Sequence, residues 1–122
     1  MNGDYRKNMN FALRLIYTRL ADPKVIHAVE NFCEEIQAVV RENTQEVYWK
    51  EDNCLLWELS CDCELIPIET IREALCKCFS IQPTRLAIHE DGNGVELAYY
   101  PTKEEIDESG EAFLVLYIPK TE

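Results

Sequence analysis

Residues 54–66 carry the pattern that most restricts what this chain can fold into, a regular alternation of apolar and polar side chains. The apolar side chains occupy every second position: Leu55, Trp57, Leu59, Cys61, Cys63 and Leu65. Most of the positions between them are polar: Glu58, Ser60, Asp62 and Glu64. Successive side chains of a β-strand point to opposite faces of its sheet, so this period of two predicts a strand with one buried face and one open face. The chain is therefore expected to form a sheet that is packed on one face only.

The hydrophobic spacing before this strand predicts two helices. Apolar residues recur every three or four positions over residues 9–20, and again from Asp22-Pro23 to about residue 43. Asp22 followed by Pro23 is typical of a helix start, because the aspartate caps free N–H groups and the proline has no N–H to satisfy. The short connection between the two segments predicts an antiparallel helical pair.

Turn residues and shorter apolar runs divide the rest of the chain into one more helix and further strands. Pro67 ends the alternating strand, and Asp91-Gly92-Asn93-Gly94 predicts a hairpin turn. The remaining predicted elements are a helix over 68–79 and strands over 46–50, 84–90, 95–100 and 112–118. The last of these strands is apolar on both faces, as expected for a central position in the sheet.

These elements, in the order ααββαβββ, predict a single α+β domain over residues 1–122. An N-terminal helical pair precedes a mostly antiparallel five-stranded sheet with one inserted helix. The helices are expected to pack on one face of that sheet, because an amphipathic helix and a half-apolar sheet each need a partner for their apolar side.

The net charge of −11 restricts the choice of partner. Residues 1–43 contain six acidic and six basic side chains, whereas residues 44–122 contain 17 acidic and six basic ones, so the whole excess lies in the second part. An acidic surface repels phosphate backbones and attracts basic proteins. We therefore expect a basic protein as the partner and no nucleic acid, with solubility as the simpler alternative explanation of the charge.

The apolar stretches and the cysteines indicate a cytoplasmic protein. No run approaches the roughly 18 apolar residues of a membrane span, so no membrane is expected among the partners. Arg14 and Arg19 interrupt the apolar N-terminal stretch and no small-residue cleavage site follows, so this segment is expected to remain in the mature protein. In the reducing cytoplasm the six cysteines are expected to be free thiols.

Two closely spaced cysteine pairs are the main candidates for a metal site. Structural zinc sites place two or more residues between paired ligands, whereas Cys61 and Cys63, like Cys76 and Cys78, are separated by a single residue. Cys76 and Cys78 would also lie about 200° apart around a helix. We therefore expect these cysteines to pack as small apolar residues, and we predict no metal and no cofactor.

Catalytic groups are not apparent elsewhere in the sequence. A nucleophilic cysteine needs a base within hydrogen-bond distance, and neither His27 nor His89 is linked in sequence to an exposed cysteine. The acidic residues at 104–108 do not form a calcium-binding loop, and there is no glycine-rich phosphate loop. The chain is therefore not expected to be an enzyme.

A binding surface is expected on the open sheet face and on the acidic loop of residues 101–110. Carboxylates around a few aromatic and aliphatic side chains are typical of a protein-binding surface, which has apolar anchors inside a charged rim. The candidate partner-binding residues are Glu58, Asp62, Glu64, Glu96, Tyr100, Glu104, Glu105, Asp107 and Glu108. Two alternatives stay open: the predicted N-terminal helices cover this face, or two copies of the chain pair through it as a homodimer.

The combination of these features resembles bacterial immunity proteins, which neutralise toxins such as nucleases made by the same cell. The likeness lies in the small α+β domain, the acidic excess after Thr44, the lack of a catalytic group, and acidic elements at Glu58, Asp62, Glu64 and residues 104–108. It implies that carboxylates would cover the lysines and arginines with which a toxin domain holds phosphate. The alternatives are a dimeric acidic secretion chaperone or adaptor, and an enzyme of an unrecognised family.

Overall fold

A computed structural model describes residues 8–18, 24–49, 54–102, 104–105 and 113–120. Within these residues the chain forms six strands and two helices: β1 (Asn8–Thr18), α1 (Lys24–Glu35), β2 (Val39–Trp49), β3 (Cys54–Glu64), α2 (Ile68–Phe79), β4 (Ala87–Asp91), β5 (Gly94–Tyr99) and β6 (Phe113–Pro119). A short 3-10 turn, Pro83–Arg85, precedes β4. No helix in the part of the chain that the structure describes is both long and apolar enough to cross a membrane.

The six strands form one sheet in the order β2-β3-β1-β6-β5-β4, and every neighbouring pair is antiparallel. Helix α1 connects β1 to β2, two parallel strands with β3 between them. Helix α2 and the β4–β5 hairpin together connect β3 to β6. These two strands are parallel, and β1 lies between them. These are two interleaved split β-α-β units, with a hairpin inserted into the second.

Both helices pack against the same face of the sheet, where the core lies. The pairs Leu13–Leu59 and Leu15–Trp57 bring the buried side chains of β1 and β3 side by side on that face. Phe32 of α1 is fully buried above them, with its ring 6.0 Å from that of Phe11 in an edge-to-face arrangement. Burial of each large apolar side chain contributes about 1.5–3 kcal/mol, so this single layer between helices and sheet holds the fold together.

The predicted N-terminal helical pair is wrong, because residues 9–20 begin with strand β1 rather than a helix. Met9, Phe11, Leu13 and Leu15 alternate along β1 and face the helices, where all four are buried. Ile16, which follows Leu15, points to the other face of the sheet but is only partly exposed. Because β1 lies between two strands and is apolar on both sides at one end, its residues also satisfy a helical spacing.

The second predicted helix is too long, since α1 ends at Glu35 and β2 begins at Val39. The chain turns at Gln37, whose φ of 55° places it in the left-handed region. The N–H of Ala38 donates to the carbonyl oxygen of Cys33 at 2.8 Å and closes the helix end. In the described parts of the chain the element order is therefore βαββαβββ, with six strands instead of five.

Other parts of the prediction are confirmed, including the broad α+β class. Helix α2 covers residues 68–79, as predicted, and the alternating strand is β3, which ends at Glu64. Asp91 begins the predicted hairpin turn, where its carboxylate accepts hydrogen bonds from the N–H groups of Asn93 and Gly94. The strand that is apolar on both faces is β6, and it lies in a central position between β1 and β5.

Candidate functional site

The helices leave the opposite face of the sheet uncovered by any described residue; we call it the open face. Strand register fixes its composition, because residues that pair across neighbouring strands point to the same side. Arg14 of β1 pairs with Glu58 of β3 and with Val115 of β6, and Val115 pairs with Ala98 of β5. The open face therefore runs without interruption across the middle of the sheet.

One end of the open face is apolar. Ile16 pairs with Leu56 on one side and with Phe113 on the other, so the register brings these three side chains together. Val115 and Tyr100 complete a shallow cavity of about 300 Å³, to which Arg14 also contributes. The rings of Tyr100 and Phe113 lie 6.0 Å apart at 60°, and Tyr100 is 59% exposed. We call this cavity, with its six lining residues, the apolar pocket.

Five carboxylates lie on the rest of the open face, among smaller and uncharged side chains. They come from three strands and form what we call the carboxylate rim: Glu42, Glu58, Asp62, Glu64 and Glu96. Arg14 contacts Glu58 at 2.8 Å, and the Arg41 guanidinium pairs with Asp62. Glu42 and Glu96 form no ion pair among the described residues, and His89 of β4 lies opposite Glu96. In the described part of the open face, two arginines and His89 face five carboxylates, so this surface carries a net negative charge.

A β-bulge in the edge strand β2 places one of these arginines. The register of β2 against β3 shifts between Val40 and Glu42, which leaves Arg41 as the extra residue. Arg41 can therefore reach Asp62 on the open face, although Val40 beside it is paired with the buried Cys61. Bulges also disturb the free backbone of an edge strand, which opposes pairing with another chain.

The acidic loop contributes differently from the open face. Thr102 and Glu105 form reciprocal hydrogen bonds of a capping box, and the Glu105 carboxylate also accepts two hydrogen bonds from Arg85 at 2.6 and 2.9 Å. The Arg85 guanidinium holds the pKa of Glu105 well below its usual range, at about 2. Arg85 itself lies 5.0 Å from the centre of the Tyr99 ring, which is buried. Glu105 therefore fixes the chain after β5 on the helix side of the sheet.

The structure thus brings together five of the nine candidate residues on the open face: Glu58, Asp62, Glu64, Glu96 and Tyr100. It places Glu105 elsewhere, and Glu104 is exposed beside it. Asp107 and Glu108 lie outside the described residues. Arg14 and Ile16 of the apolar pocket were missed, because residues 9–20 were assigned to a helix. The alternation of apolar side chains from Met9 to Leu15 is the signal that could have revealed them. Leu56, Phe113 and Val115 were missed because the spacing within one strand does not show which residues lie together across strands.

The five cysteines whose side chains the structure describes lie on the helix side, away from this surface. The five that the structure describes are free, and Cys61 and Cys63 are buried in the core. The hydrogen bond between the thiols of Cys33 and Cys61 is the main cause that raises the pKa of Cys61, and burial raises it further. The same hydrogen bond lowers the pKa of Cys33. Burial raises the pKa of Cys76 and Cys78.

Metal ligands do not cluster among the described residues, and the one thiol there with a lowered pKa, that of Cys33, is hydrogen-bonded to another thiol rather than to a base. The described residues contain no group of three or more histidine, cysteine or carboxylate side chains arranged to hold a metal ion. His27 lies on the exposed side of α1, where its ring contacts Glu30 at 3.6 Å. Cys61, which has the nearest thiol to Cys33, is kept protonated rather than available as a base.

No protein family model, curated protein or solved structure matches this chain. The most distinctive feature of the described residues is the open face, with the apolar pocket at one end and the carboxylate rim beyond it.

Proposed function

We propose that this chain is a protein-binding module whose open face docks onto a basic protein. The observation that carries the proposal is the placement of the carboxylate rim and the apolar pocket on the one sheet face that no described helix covers. Protein-binding surfaces combine an apolar centre, which excludes water, with a polar rim. The apolar pocket and the carboxylate rim supply these two parts from neighbouring strands.

The two parts have different energetic roles. Exposed carboxylates steer a basic partner and accelerate association in a salt-dependent way, whereas buried apolar contacts determine how slowly the complex dissociates. The net charge of −11 extends the steering field beyond the contact surface. The same charge opposes self-association through this face, because two copies would bring two carboxylate rims together.

Within this class, an inhibitor of a basic toxin domain is the most specific proposal. A nuclease, for example, holds phosphate with lysines and arginines, and the carboxylate rim can occupy those side chains and exclude the substrate. The resemblance to immunity proteins supports this proposal. The five free cysteines support a cytoplasmic location, since thiols persist in a reducing compartment.

A secretion chaperone or adaptor, which the sequence left as the alternative, receives less support. The apolar stretches that could supply its self-contact are residues 9–20 and 112–118. Their described residues lie in β1 and β6, which have a neighbouring strand on each side in the sheet. A self-contact would therefore have to use their side chains on the acidic open face.

Two matched variants test the proposal. The triple variant Glu42→Gln, Glu64→Gln and Glu96→Gln removes three negative charges from the open face. The control variant Glu30→Gln, Glu34→Gln and Glu73→Gln removes three from the exposed sides of the helices. The tagged proteins serve as bait in lysate of the source organism, and the affinity of a captured basic protein is then measured at low and moderate salt.

We expect the open-face variant to weaken binding on the order of tenfold, mainly through slower association, because each exposed ion pair contributes about 0.2–1 kcal/mol. The control variant should bind nearly as well as the wild type. Equal losses in both variants would show that overall charge, not the open face, determines binding. If no basic protein binds stoichiometrically, the proposal fails. Inhibition of the captured protein's own activity would establish the inhibitor role.

A further inference from the structure

We infer that the apolar pocket receives one aromatic side chain of the partner, from a segment in which lysine or arginine flanks the aromatic residue. This inference rests on the proposed function and names the chemistry that the open face recognises. Three properties of the pocket lead to it: its size and lining, the compensated charge at its wall, and the position of the carboxylates around it.

The size and lining of the pocket fit a single ring. A cavity of about 300 Å³ lies at the lower end of the range for ligand sites and can hold one large side chain. Ile16 and Leu56 are cross-strand partners in the aliphatic floor of the pocket. Val115 adds to this floor from β6, where it pairs with Arg14 on the same face. Tyr100 and Phe113, tilted at 60°, form an aromatic wall that offers both a ring face and a ring edge. Aromatic rings prefer such offset or edge-to-face contacts.

The charge at the pocket wall favours a neutral occupant. Arg14 lines the pocket, and its guanidinium is held 2.8 Å from the Glu58 carboxylate. A cationic side chain that entered the pocket would approach Arg14, and an anionic one would approach Glu58. A neutral ring avoids both repulsions, and the guanidinium of Arg14 can stack on its face.

The carboxylates beyond the pocket favour cations next to that ring. Glu58 lies two residues along β3 from Leu56, and Glu96 lies two residues along β5 from Ala98, which pairs with Val115. At about 3.3 Å per residue, each carboxylate is roughly 7 Å from the strand position at or next to the pocket. A lysine or arginine one or two residues from the anchored ring can span that distance. The aromatic residue and its basic neighbours would therefore bind at the same time.

Three synthetic pentapeptides separate these contributions. The first has a tryptophan between two lysine pairs, the second has alanine in place of the tryptophan, and the third has serines in place of the lysines. Each is titrated into the ¹⁵N-labelled full chain, and binding is followed by amide chemical shifts. We expect the tryptophan–lysine peptide to bind at least tenfold more tightly than either of the others, with shifts centred on Arg14, Leu56 and Val115.

Variants of the pocket provide the second measurement. Val115→Phe fills the pocket from the floor, and Tyr100→Ala removes a wall that is already 59% exposed, so the second variant should fold normally. Both should abolish the advantage of tryptophan over alanine while leaving the weaker binding of the alanine–lysine peptide unchanged. Ile88→Ala is the control, because Ile88 is an apolar residue of β4 with 45% exposure outside the pocket. It should leave the advantage intact.

The possible results distinguish the two proposals. If the tryptophan and alanine peptides with lysines bind the open face equally well, the pocket inference is overturned and the basic-partner proposal stands. Equal binding of the serine and lysine peptides that contain tryptophan would overturn the requirement for basic neighbours. Shifts that are absent from the open face, or that centre elsewhere, would overturn both.

Discussion

Gly94 begins β5 at a point where the neighbouring strand β6 leaves no room for a side chain. A Cβ atom placed on Gly94 would lie 2.3 Å from the carbonyl oxygen of Ile118, 2.8 Å from the Tyr117 hydroxyl and 3.0 Å from the Cα of Pro119. The neighbouring atoms cannot retreat easily. The Tyr117 hydroxyl donates a hydrogen bond to the carbonyl oxygen of Asn93, and the N–H of Lys120 donates to the same oxygen at 2.8 Å. Gly94→Ala should therefore strain the β5–β6 pairing.

The size of the effect follows from these distances. The carbonyl oxygen of Ile118 would have to move by roughly 0.7 Å before the Cβ contact reached even 3.0 Å. Overpacking of this kind typically costs about 1–3 kcal/mol. Replacement of glycine by alanine also stabilises the folded state by about 0.4–1 kcal/mol, because the unfolded chain loses conformational freedom. We expect a net loss of about 1.3 kcal/mol, which lowers the melting temperature of a domain of this size by roughly 5 °C.

Gly92, two residues earlier in the same hairpin turn, provides the matched control. A Cβ atom there meets nothing within 4 Å, so Gly92→Ala should change the free energy of unfolding by no more than about 0.5 kcal/mol. Both variants are compared with the wild type by urea unfolding, followed by circular dichroism. A Gly94→Ala protein that is as stable as the Gly92→Ala protein would refute the pairing of Gly94 with Pro119 and the position of β6 beside β5.

Two further predictions concern the end of α2 and the Arg85–Glu105 contact. Ser80 has a φ of 55° and a ψ of 43°, so Ser80→Gly should stabilise the protein by about 0.5–1 kcal/mol in thermal unfolding, whereas Ser80→Ala should bring no gain. The pKa of Glu105 is lowered to about 2, so its ionised carboxylate stabilises the fold above about pH 4.5, and this stabilisation is lost as the pH falls towards 2. The stability advantage of the wild type over Glu105→Gln should therefore be constant between pH 7 and 5 and shrink below pH 4.5. A difference that does not depend on pH would contradict the Arg85–Glu105 contact.

The parts of the fold that the sequence predicted are those in which one physical requirement dominates. In β3, between Trp57 and Glu64, one face is buried and the other is exposed, so the alternation is unambiguous. Helix α2 begins directly after Pro67, and the Asp91 turn has the residues that its hydrogen bonds require. Local chemistry and tertiary packing agree at each of these places.

The end of α1 shows why other boundaries could not be predicted. Helices often end at a glycine in the left-handed region, but here Gln37 adopts that conformation. Val39 and Val40 then continue the apolar spacing of the helix, although they belong to an exposed edge strand. No residue type marks the turn, so the helix was extended into β2.

The candidate site was predicted only where its strands alternate. The alternation in β3 correctly predicts that one face carries Glu58, Asp62 and Glu64. The spacing in β5 predicts that Glu96 lies on one side of its strand, but it does not show which side is open. The register of β5 against β6 settles this, because Glu96 pairs with Tyr117 on the open face. Register depends on contacts between distant parts of the chain, which the spacing within one strand does not contain.

The error at β1 is connected to the proposed function. A strand that faced only solvent on its open side would be polar at every second residue, and its period of two would be as clear as that of β3. β1 instead has Ala12 and Ile16 on the open face, and these two residues completed the apparent helical spacing. Leu56 and Phe113 interrupt the polar pattern at the same end of the neighbouring strands. The alternation is therefore lost where the apolar pocket lies, which is the pattern expected of a sheet face that is covered by a partner at that end.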